Sequence, residues 1–300
     1  MSGIKHWSAP FFTSDILEIL PLKKGLHHQL ELIHLVDNSY WVGKKFSEHN
    51  WLGPTNFNQL VATENMATVI ADKLAITCAA LKKEGNNAVL QIDDQYAVIR
   101  PYYYGQSYSR LSIVQAEILG TLLAKIHCLK LHHSALKPFP KITDITCPPW
   151  LTDIAMQCNA SITYRTDLWV GAHRDTHMDN FIWQDKKSVH LIDWESAGMI
   201  HPGVELAGLA SNCAGIETCQ FDENLFAATL RGYKAHTLHL PPMDETLWVQ
   251  TWHSWLLWYA FLEHQEGLQI DKTNTMNILK FKQQIQPKIQ QLYFSQITGI

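Results

Sequence analysis

The segment Val170–Gly198 constrains the fold more than any other part of this 300-residue chain. Within it, two short apolar runs flank polar residues whose spacing is too irregular for a helix, which predicts a strand, a loop and a second strand. Asp175 and Asn180 lie five residues apart in the loop, and Asp193 follows the second run. A carboxylate that can accept a proton, followed by an amide and a carboxylate that can bind Mg²⁺, is the arrangement that phosphoryl transfer requires.

Composition and patterning exclude several classes of protein. A chain with 46% hydrophobic residues can bury a large core, and its length suggests two lobes. The net charge is −4 and no stripe of Lys and Arg stands out, so we expect no nucleic-acid partner. No apolar run approaches the ~20 residues that span a bilayer, and the first residues lack the apolar core of a signal peptide. Because the six cysteines are also scattered without a C-x-x-C pair, we predict a cytoplasmic protein with reduced thiols and no membrane association; the pattern assigns no oligomeric state.

The first hundred residues carry the apolar pattern of β-strands. Residues 16–46 predict three strands and residues 88–105 two more, with a helix over 54–80 between them. If this sheet binds a nucleotide, the turn at Lys23–His28 would lie over the phosphates. The signal for that turn is weak, because Gly25 is its only glycine.

A carboxylate on the predicted helix needs a cation. Glu64 falls on the apolar stripe of that helix, where an unpaired carboxylate would be costly to bury. A lysine on a neighbouring strand is the expected partner, and we choose Lys44 first and Lys45 second, because the pattern does not determine the strand register. Each residue also has a plainer interpretation, since a strand lysine is commonly a solvated edge charge and Glu64 could lie at the exposed margin of the stripe.

The second part of the chain is mainly helical in its pattern. Ser112 and Gln115 form a capping box for a long amphipathic helix. Residues 243–265 predict one helix with an aromatic stripe, and residues 274–294 predict a last helix that is interrupted near Pro287.

Two motifs resemble those of the aminoglycoside phosphotransferase and choline kinase superfamily, whose members are small-molecule kinases related in fold to protein kinases. They are residues 173–180 (HRDTHMDN) and 191–198 (LIDWESAG), and the second motif with residues 201–207 looks most like the choline kinase and bacterial thiamine kinase branches. The resemblance implies an α+β, protein-kinase-like bilobal fold: a small N-lobe with an antiparallel sheet and one helix, and a larger, mainly helical C-lobe. It places the N-lobe at 1–100, the hinge at 101–110 and the C-lobe at 111–300.

The departures from protein kinases favour the small-molecule branch. His177 stands two residues after Asp175, where a protein kinase has Lys, and the triplet 193–195 (Asp-Trp-Glu) replaces D-F-G. No A-P-E segment is present. Ser196 replaces the Tyr that is common in the choline and thiamine branches, so an aromatic contact of that Tyr is not expected here.

The resemblance also implies a role for each matching residue. Asp175 would accept the proton of the substrate hydroxyl. Asn180 and Asp193 would hold Mg²⁺ through oxygen ligands. The remaining catalytic-loop positions are His173, Arg174 and His177. ATP would bind to N-lobe and hinge residues, with Lys44 and Glu64 at the phosphates and Ile99, Pro101, Tyr102 and Tyr103 at the adenine.

Zinc binding is the alternative interpretation of the two loop histidines. His173 and His177 have a spacing that zinc ligands use on a helix, but Arg174 stands where an H-E-x-x-H site needs Glu and the segment is predicted as a loop. We therefore favour a structural role for His173.

The aromatic stripe suggests a cationic substrate. Aromatic faces attract quaternary ammonium and thiazolium groups, and core packing is the alternative for any single Trp on such a stripe. We predict a kinase of a small-molecule alcohol that resembles thiamine or choline; the alternatives are an aminoglycoside phosphotransferase and a catalytically silent, kinase-like binding protein. The predicted pocket residues are Trp252, Trp255, Tyr259, Glu263 and Glu195, with Glu205 as a second source of negative charge.

Overall fold

Backbone packing divides the chain into two units, Met1–Tyr104 and Gly105–Ile300. This boundary lies within 101–110, and the assignment of that segment as an inter-lobe hinge stays a prediction. The computed structural model describes residues 4–22, 28–82 and 87–298. Most of the turn predicted at Lys23–His28 therefore lies outside the described residues.

The described residues of the first unit form a five-stranded antiparallel sheet and one α-helix, as the sequence pattern predicts. Its strands are β1 (Ile16–Pro21), β2 (Gln29–Leu35), β3 (Tyr40–Lys45), β4 (His49–Asn50), β5 (Gly53–Pro54), β6 (Leu90–Ile92) and β7 (Gln95–Pro101). The strand order in the sheet is β1-β2-β3-β7-β6, and β4 and β5 form a separate hairpin.

Helix α1 (Phe57–Leu74) is shorter than the sequence pattern indicates. It begins where the Asn56 side chain accepts a hydrogen bond from the Gln59 N–H at 3.1 Å. It ends because Ala75 adopts a left-handed conformation with φ 55°, which closes the last turn and stops the helix before 80.

The second unit is mainly helical, with four short strands around the central motifs. The helices are α2 (Ile113–Cys128), α3 (Pro149–Ala160), α4 (Pro202–Cys213), α5 (Glu223–Thr237), α6 (Glu245–Gln250), α7 (His253–Glu263) and α8 (Gln269–Thr298). The strands are β8 (Val170–Ala172), β9 (Phe181–Trp183), β10 (Val189–Leu191) and β11 (Gly198–Ile200), and they pair as β8 with β11 and β9 with β10.

Helices α2 and α5 pack with unusually close backbones. The predicted capping box begins α2, because the Gln115 N–H donates to Ser112 Oγ and the Ser112 N–H donates to Gln115 Oε1. Gly120 of α2 and Gly232 of α5 lie where a Cβ atom would overlap a backbone carbonyl of the opposite helix. The pair of glycines therefore sets how closely these two helices approach.

The last helices differ from the prediction in two ways. The helix predicted at 243–265 is two helices, α6 and α7, which break between Gln250 and His253. Helix α8 continues through Pro287 without interruption, because residues on both sides of the proline, such as Leu279 and Tyr293, are fully buried and hold the helix in place. Among the described residues, no helix combines the length and apolar character of a membrane span.

Candidate active site

The short strands β8 and β11 carry the central motifs. Antiparallel pairing joins Ala172 to Gly198, so the loop that follows β8 lies beside the turn that precedes β11. A hydrogen bond from the Ile192 N–H to the Asn180 carbonyl at 3.0 Å is a second link between the loop at 173–180 and the segment at 191–198. Residues 173–180 and 193 are thereby brought together by backbone contacts, as the sequence spacing predicts.

Asp175 is held from two sides. On one side, Asn180 Nδ2 donates to the Asp175 carbonyl oxygen at 2.8 Å and to its carboxylate Oδ2 at 3.1 Å. On the other side, the Asp175 N–H donates to His173 Nδ1 at 3.3 Å. The carboxylate itself remains partly exposed, so it can meet a substrate hydroxyl.

His173 is fully buried and both of its ring nitrogens are engaged. Nε2 donates to the Ile192 carbonyl at 2.8 Å, and Nδ1 accepts from Asp175. The ring therefore links the two motifs and has no lone pair left for a metal. The zinc interpretation is wrong for this reason, and the predicted structural role of His173 fits its contacts.

Arg174 is a buried cation that organises the backbone behind the catalytic loop. Its guanidinium donates to carbonyl oxygens of three residues and lies 4.5 Å from the centre of the Phe139 ring. Burial lowers the pKa of Arg174 to about 9, while the carboxylate of Glu205 acts in the opposite direction. Gly198 is required beside it, because a Cβ atom there would overlap the guanidinium. The carbonyl acceptors belong to Ser196, Lys137 and Ala197.

Glu205 anchors the loop from helix α4. Its Oε1 accepts from the Arg174 N–H, and its Oε2 pairs with His127 Nε2 at 2.7 Å. The other ring nitrogen of His127 is 2.9 Å from the Tyr233 hydroxyl. Although burial raises it, the pKa of Glu205 is lowered overall by His127 and by the Arg174 N–H. Glu205 is therefore a buried anchor, and its predicted second role as a pocket charge is wrong.

The surroundings of Asp175 are rich in negative charge. His177 Nε2 lies 3.6 Å from Asp175 Oδ1. Burial lowers the pKa of His177, but the net shift is upward because Asp175, Glu217 and other carboxylates stabilise its cation. Burial in turn raises the pKa of Glu217. The carboxylates around His177 thus favour the protonated form of its ring.

The two predicted metal ligands fit a hard divalent cation. Because Asn180 uses its Nδ2 to hold Asp175, its Oδ1 is the atom that remains for a metal. Asp193 has a left-handed backbone with φ 64°, an uncommon conformation that is concentrated at functional sites. One amide and one carboxylate suit Mg²⁺, which completes its shell with water and phosphate oxygens. Among the described residues, no group of three or more His, Cys, Asp or Glu side chains could hold a metal.

In the first unit, the register of β3 separates the two candidate lysines. Lys44 pairs across the sheet with Val98, which packs with Phe46 and with Leu60 of α1, so Lys44 shares the face that carries α1. The ammonium group of Lys45 lies on the other face, 5.5 Å from the centre of the Trp7 ring. Lys44 is buried, with 6% of its surface exposed.

Glu64 is buried and paired with an arginine. Arg100 Nη2 donates to Glu64 Oε2 at 2.5 Å, and Arg100 Nη1 donates to the Cys78 carbonyl. Arg100 lies on β7 opposite Val42 of β3, and therefore on the same face of the sheet as Lys44. The carboxylate on the apolar stripe has the cation that its burial requires, and its pairing with Lys44 stays a prediction.

The predicted adenine segment begins within β7 and continues past its end. The Ile99 carbonyl accepts from the Leu81 N–H at 2.7 Å, and the Tyr102 N–H donates to the Tyr40 carbonyl at 3.0 Å. The latter bond makes Trp41 and Pro101 a non-hydrogen-bonded pair, so the Pro101 carbonyl points away from β3.

Three of the predicted pocket residues, in α7 or directly before it, already contact lysines of the same chain. Lys272 Nζ is 2.7 Å from Glu263 Oε1 and 5.5 Å from the centre of the Tyr259 ring. Lys282 Nζ lies 5.1 Å from the centre of the Trp252 ring. Trp252 and Tyr259 are each 5% exposed, whereas Trp255 and Glu195 are half-buried. Core packing thus describes Trp252 and Tyr259 better than a cation pocket.

Sequence reasoning missed several residues around the catalytic loop. Glu217 and Asn212 follow the loop by more than 30 positions, and no local pattern marks them. The Asn212 side chain donates to the Thr176 carbonyl at 3.1 Å. Within the described part of the chain, Glu217 Oε1 and Asn212 Oδ1 are buried side-chain oxygens without a hydrogen-bond partner. Both are acceptors, which a donor on a bound molecule could satisfy.

Known proteins match part of this chain in sequence and most of it in fold. Residues 94–239 match the phosphotransferase enzyme family. No curated protein sequence matches the chain.

Several solved structures resemble nearly the whole chain. Amicoumacin kinase hAmiN, solved with AMP-PNP, Ca²⁺ and Ami, has a TM-score of 0.66 at 12% identity, over 90% of this chain and 88% of that chain. The microcompartment-associated aminopropanol kinase has a TM-score of 0.66 at 10% identity, over 96% of each chain. Choline kinase LicA from Streptococcus pneumoniae has a TM-score of 0.61 at 15% identity, over 89% of this chain and 93% of that chain. At these identities the likeness shows the fold, and it confirms the predicted protein-kinase-like α+β class.

Proposed function

We propose that this chain, whose residues 94–239 match the phosphotransferase enzyme family and whose fold is similar to that of solved small-molecule kinases, transfers the γ-phosphoryl group of ATP to the hydroxyl of a small cationic alcohol. The observation that carries the proposal is the double hydrogen bond from Asn180 to Asp175. It orients a partly exposed carboxylate beside a potential metal ligand, and this is the geometry that the transfer of a phosphoryl group to a hydroxyl needs.

Asp175 acts on the acceptor hydroxyl in this proposal. Its carboxylate accepts the hydroxyl proton as the oxygen attacks, and its position is maintained by Asn180 and His173. The pKa of His177 is raised, so its ring is a cation over a wider pH range than a free imidazole. When protonated, the ring stabilises negative charge next to Asp175.

Mg²⁺ would be held by Asn180 Oδ1 and Asp193. When bound, it supplies neutralisation of the charge on the phosphate oxygens. The bond between the Ile192 N–H and the Asn180 carbonyl supports a shared role, because it keeps the two ligand residues on adjacent backbone segments.

ATP would contact the first unit at two places. Lys44 is the proposed phosphate-binding lysine, since it lies on the α1 face of the sheet with Glu64 and Arg100. The Pro101 carbonyl and the backbone of Tyr103 are the proposed adenine contacts. Ile99 and Tyr102 are weaker candidates, because the Ile99 carbonyl and the Tyr102 N–H already have partners.

The acceptor's cation is proposed to be a protonated amine. A quaternary ammonium group needs free aromatic faces, and Lys272 and Lys282 lie over the faces of Tyr259 and Trp252. In contrast, the unpartnered oxygens of Glu217 and Asn212 need N–H donors, which a primary ammonium has and a trimethylammonium lacks. An amino alcohol fits these groups better than choline or thiamine. The same argument supports an aminoglycoside, which carries several amino groups, as the second candidate.

A panel assay of ADP release tests this proposal. The acceptors are ethanolamine, aminopropanol, homoserine, choline, thiamine and kanamycin, each with Mg·ATP. Turnover that is fastest with an amino alcohol supports the proposal, and turnover only with kanamycin supports the antibiotic-modifying alternative. No turnover with any acceptor, together with no change in melting temperature on adding Mg·ATP, would favour a catalytically silent binding protein.

A further inference from the structure

Lys44, Arg100 and Glu64 share the α1 face of the sheet in the first unit. Lys44 lies opposite Val98 in the pairing of β3 with β7, and Arg100 lies two residues further along β7, so it is a diagonal neighbour of Lys44 on the same face. Glu64 reaches this face from α1 and is 2% exposed. Together, the three side chains carry one positive charge in excess. The cation that neutralises Glu64 therefore decides where the excess charge lies.

Arg100 holds Glu64 with a geometry that a lysine cannot reproduce. Arg100 Nη2 donates to Glu64 Oε2, and Arg100 Nη1 donates to the Cys78 carbonyl, each at 2.5 Å. The guanidinium thus joins β7 to α1 and to the segment that follows α1. Its nitrogens are fixed in one plane, whereas a lysine offers a single ammonium group that acts as a point charge. Arg100 is therefore the better of the two cations for this double contact.

The carboxylate of Glu64 lies too deep to be neutralised by water. Its side chain is 3% exposed and that of Arg100 is 18% exposed. Removing one partner of a buried ion pair leaves an uncompensated charge, which is strongly unfavourable. Lys44, as the diagonal neighbour of Arg100, is placed to take over the role of counter-ion if the guanidinium is lost. An ammonium group that neutralises a carboxylate attracts phosphate oxygens less strongly, because the carboxylate repels them.

We infer that Arg100 is a positioning residue for ATP: by neutralising Glu64, it prevents this carboxylate from competing with the phosphate groups for the ammonium of Lys44. The inference rests on the proposed function, in which Lys44 binds the phosphates. The pair of Lys44 with Glu64 that the sequence predicts would then form when Arg100 is removed. Arg100 acts through Glu64 and Lys44 and does not itself contact the nucleotide.

Nucleotide titration tests the inference on the full-length protein, whatever the acceptor alcohol is. The dissociation constant of ATP in the presence of Mg²⁺ is measured by titration calorimetry for the wild type and for Arg100→Met, which removes the charge and keeps a long side chain. We expect Arg100→Met to weaken ATP binding about ten-fold, the effect of losing a hydrogen bond to a charged group. Arg100→Lys keeps a cation beside Glu64 and should weaken binding by no more than about three-fold.

A second substitution distinguishes competition between charges from a displaced α1. Glu64→Gln removes the competing charge. Arg100→Met should therefore weaken ATP binding about ten-fold when Glu64 is present and no more than about two-fold in the Glu64→Gln background. A displaced α1 would give equal effects in both backgrounds. Arg231→Met, which breaks an exposed pair with Glu117 in the second unit, is the matched control and should leave the dissociation constant unchanged.

Lys44→Met separates failure of the inference from failure of the proposed function. If Lys44→Met weakens ATP binding, the inference alone is overturned by unchanged binding in Arg100→Met, or by equal effects of Arg100→Met in the two Glu64 backgrounds. If Lys44→Met leaves the dissociation constant unchanged, the proposed phosphate contact is wrong, and the inference falls with it.

The melting temperature of each variant shows whether it is folded. The double variant Arg100→Met/Glu64→Gln contains neither charge of the buried pair, so it keeps the test decisive even if Arg100→Met by itself does not fold. A ten-fold weakening of ATP binding in the double variant relative to Glu64→Gln would mean that Arg100 acts on the nucleotide directly or through the position of α1, and would overturn the inference.

Discussion

Two of the contacts that position Asp175 involve its backbone and do not depend on its carboxylate charge. Asn180 Nδ2 bonds to its carbonyl oxygen, and its N–H bonds to His173. An isosteric change at this side chain should therefore leave the loop in place. This separation allows the chemical role of the carboxylate to be measured apart from its structural role.

Asp175→Asn is predicted to lower kcat by at least about 1000-fold, because the amide cannot accept the proton of the hydroxyl. The dissociation constant of ATP should stay within a few-fold of the wild-type value. Steady-state kinetics and nucleotide titration measure the two quantities. Asp185→Asn, at an exposed turn residue between β9 and β10, is the control and should change neither. Loss of ATP binding in Asp175→Asn would contradict the assigned role.

Glu217→Gln is predicted to raise the KM for an amino alcohol about ten-fold or more, the effect of losing a hydrogen bond to a charged group, with the KM for ATP unchanged. Because burial raises the pKa of Glu217, the wild-type KM for the amine should also rise as the pH falls through that pKa. The exposed Glu223→Gln is the control.

Trp255→Ala separates the two modes of cation recognition. If the half-buried Trp255 provides an aromatic contact, its loss raises the acceptor KM; if Glu217 and Asn212 bind the amine, Trp255→Ala leaves that KM unchanged. An effect of Trp255→Ala without an effect of Glu217→Gln would reverse our preference for a protonated amine.

At the scale of secondary-structure elements, the packing of α2 against α5 supports the catalytic loop. His127 of α2 and Tyr233 of α5 are bonded to each other, and His127 is bonded to Glu205 of α4, which accepts from the Arg174 N–H. The position of the catalytic loop therefore depends on how closely α2 and α5 approach each other. Gly120 and Gly232 permit that close approach.

Gly120→Ala is predicted to lower the melting temperature strongly, because the added methyl group would overlap the Thr229 carbonyl and force α2 and α5 apart. Overpacking of this kind costs about 1–3 kcal/mol in the free energy of unfolding. Gly208→Ala in α4 is the matched control, since no atom lies within 4 Å of the position that its Cβ would occupy. It should stabilise the protein by up to about 1 kcal/mol through helix propensity. Equal effects of the two substitutions in thermal and urea unfolding would show that the helix contact is not close.

At the scale of the whole molecule, buried histidines make the stability depend on pH. Burial lowers the pKa of His201 and of His253 to about 4 in the folded protein. In the unfolded chain an imidazole takes up its proton near pH 6.5. The unfolded state therefore binds more protons between these values, and the free energy of unfolding decreases as the pH falls through this window.

The free energy of unfolding is predicted to fall by up to about 3 kcal/mol per histidine between pH 6.5 and pH 4. Glu205, with its lowered pKa, adds a further loss at the acidic end, whereas His177, with its raised pKa, contributes in the opposite direction. Urea unfolding at pH 7, 5.5 and 4.5 measures the dependence. His201→Asn should make it shallower, and equal stability at all three pH values would show that the two rings are not buried as neutral groups.

The sequence by itself determined the parts of this protein that depend on neighbours along the chain. Asp175, Asn180 and Asp193 lie within 20 positions, so one loop and two short strands bring them together. The strand pattern of the first unit and the capping box of α2 are equally local. Each of these depends on periodicity or spacing, which a sequence displays directly.

Only the tertiary structure decided features that depend on packing between distant segments. The register of β3 against β7 placed Lys44 on the α1 face, and Arg100 became a partner of Glu64 across 36 positions. Lys272 and Lys282 of α8 lie over aromatic rings that the sequence assigned to a substrate. Local patterns cannot specify such contacts, because the apolar stripe that packs in a core and the stripe that lines a pocket have the same spacing.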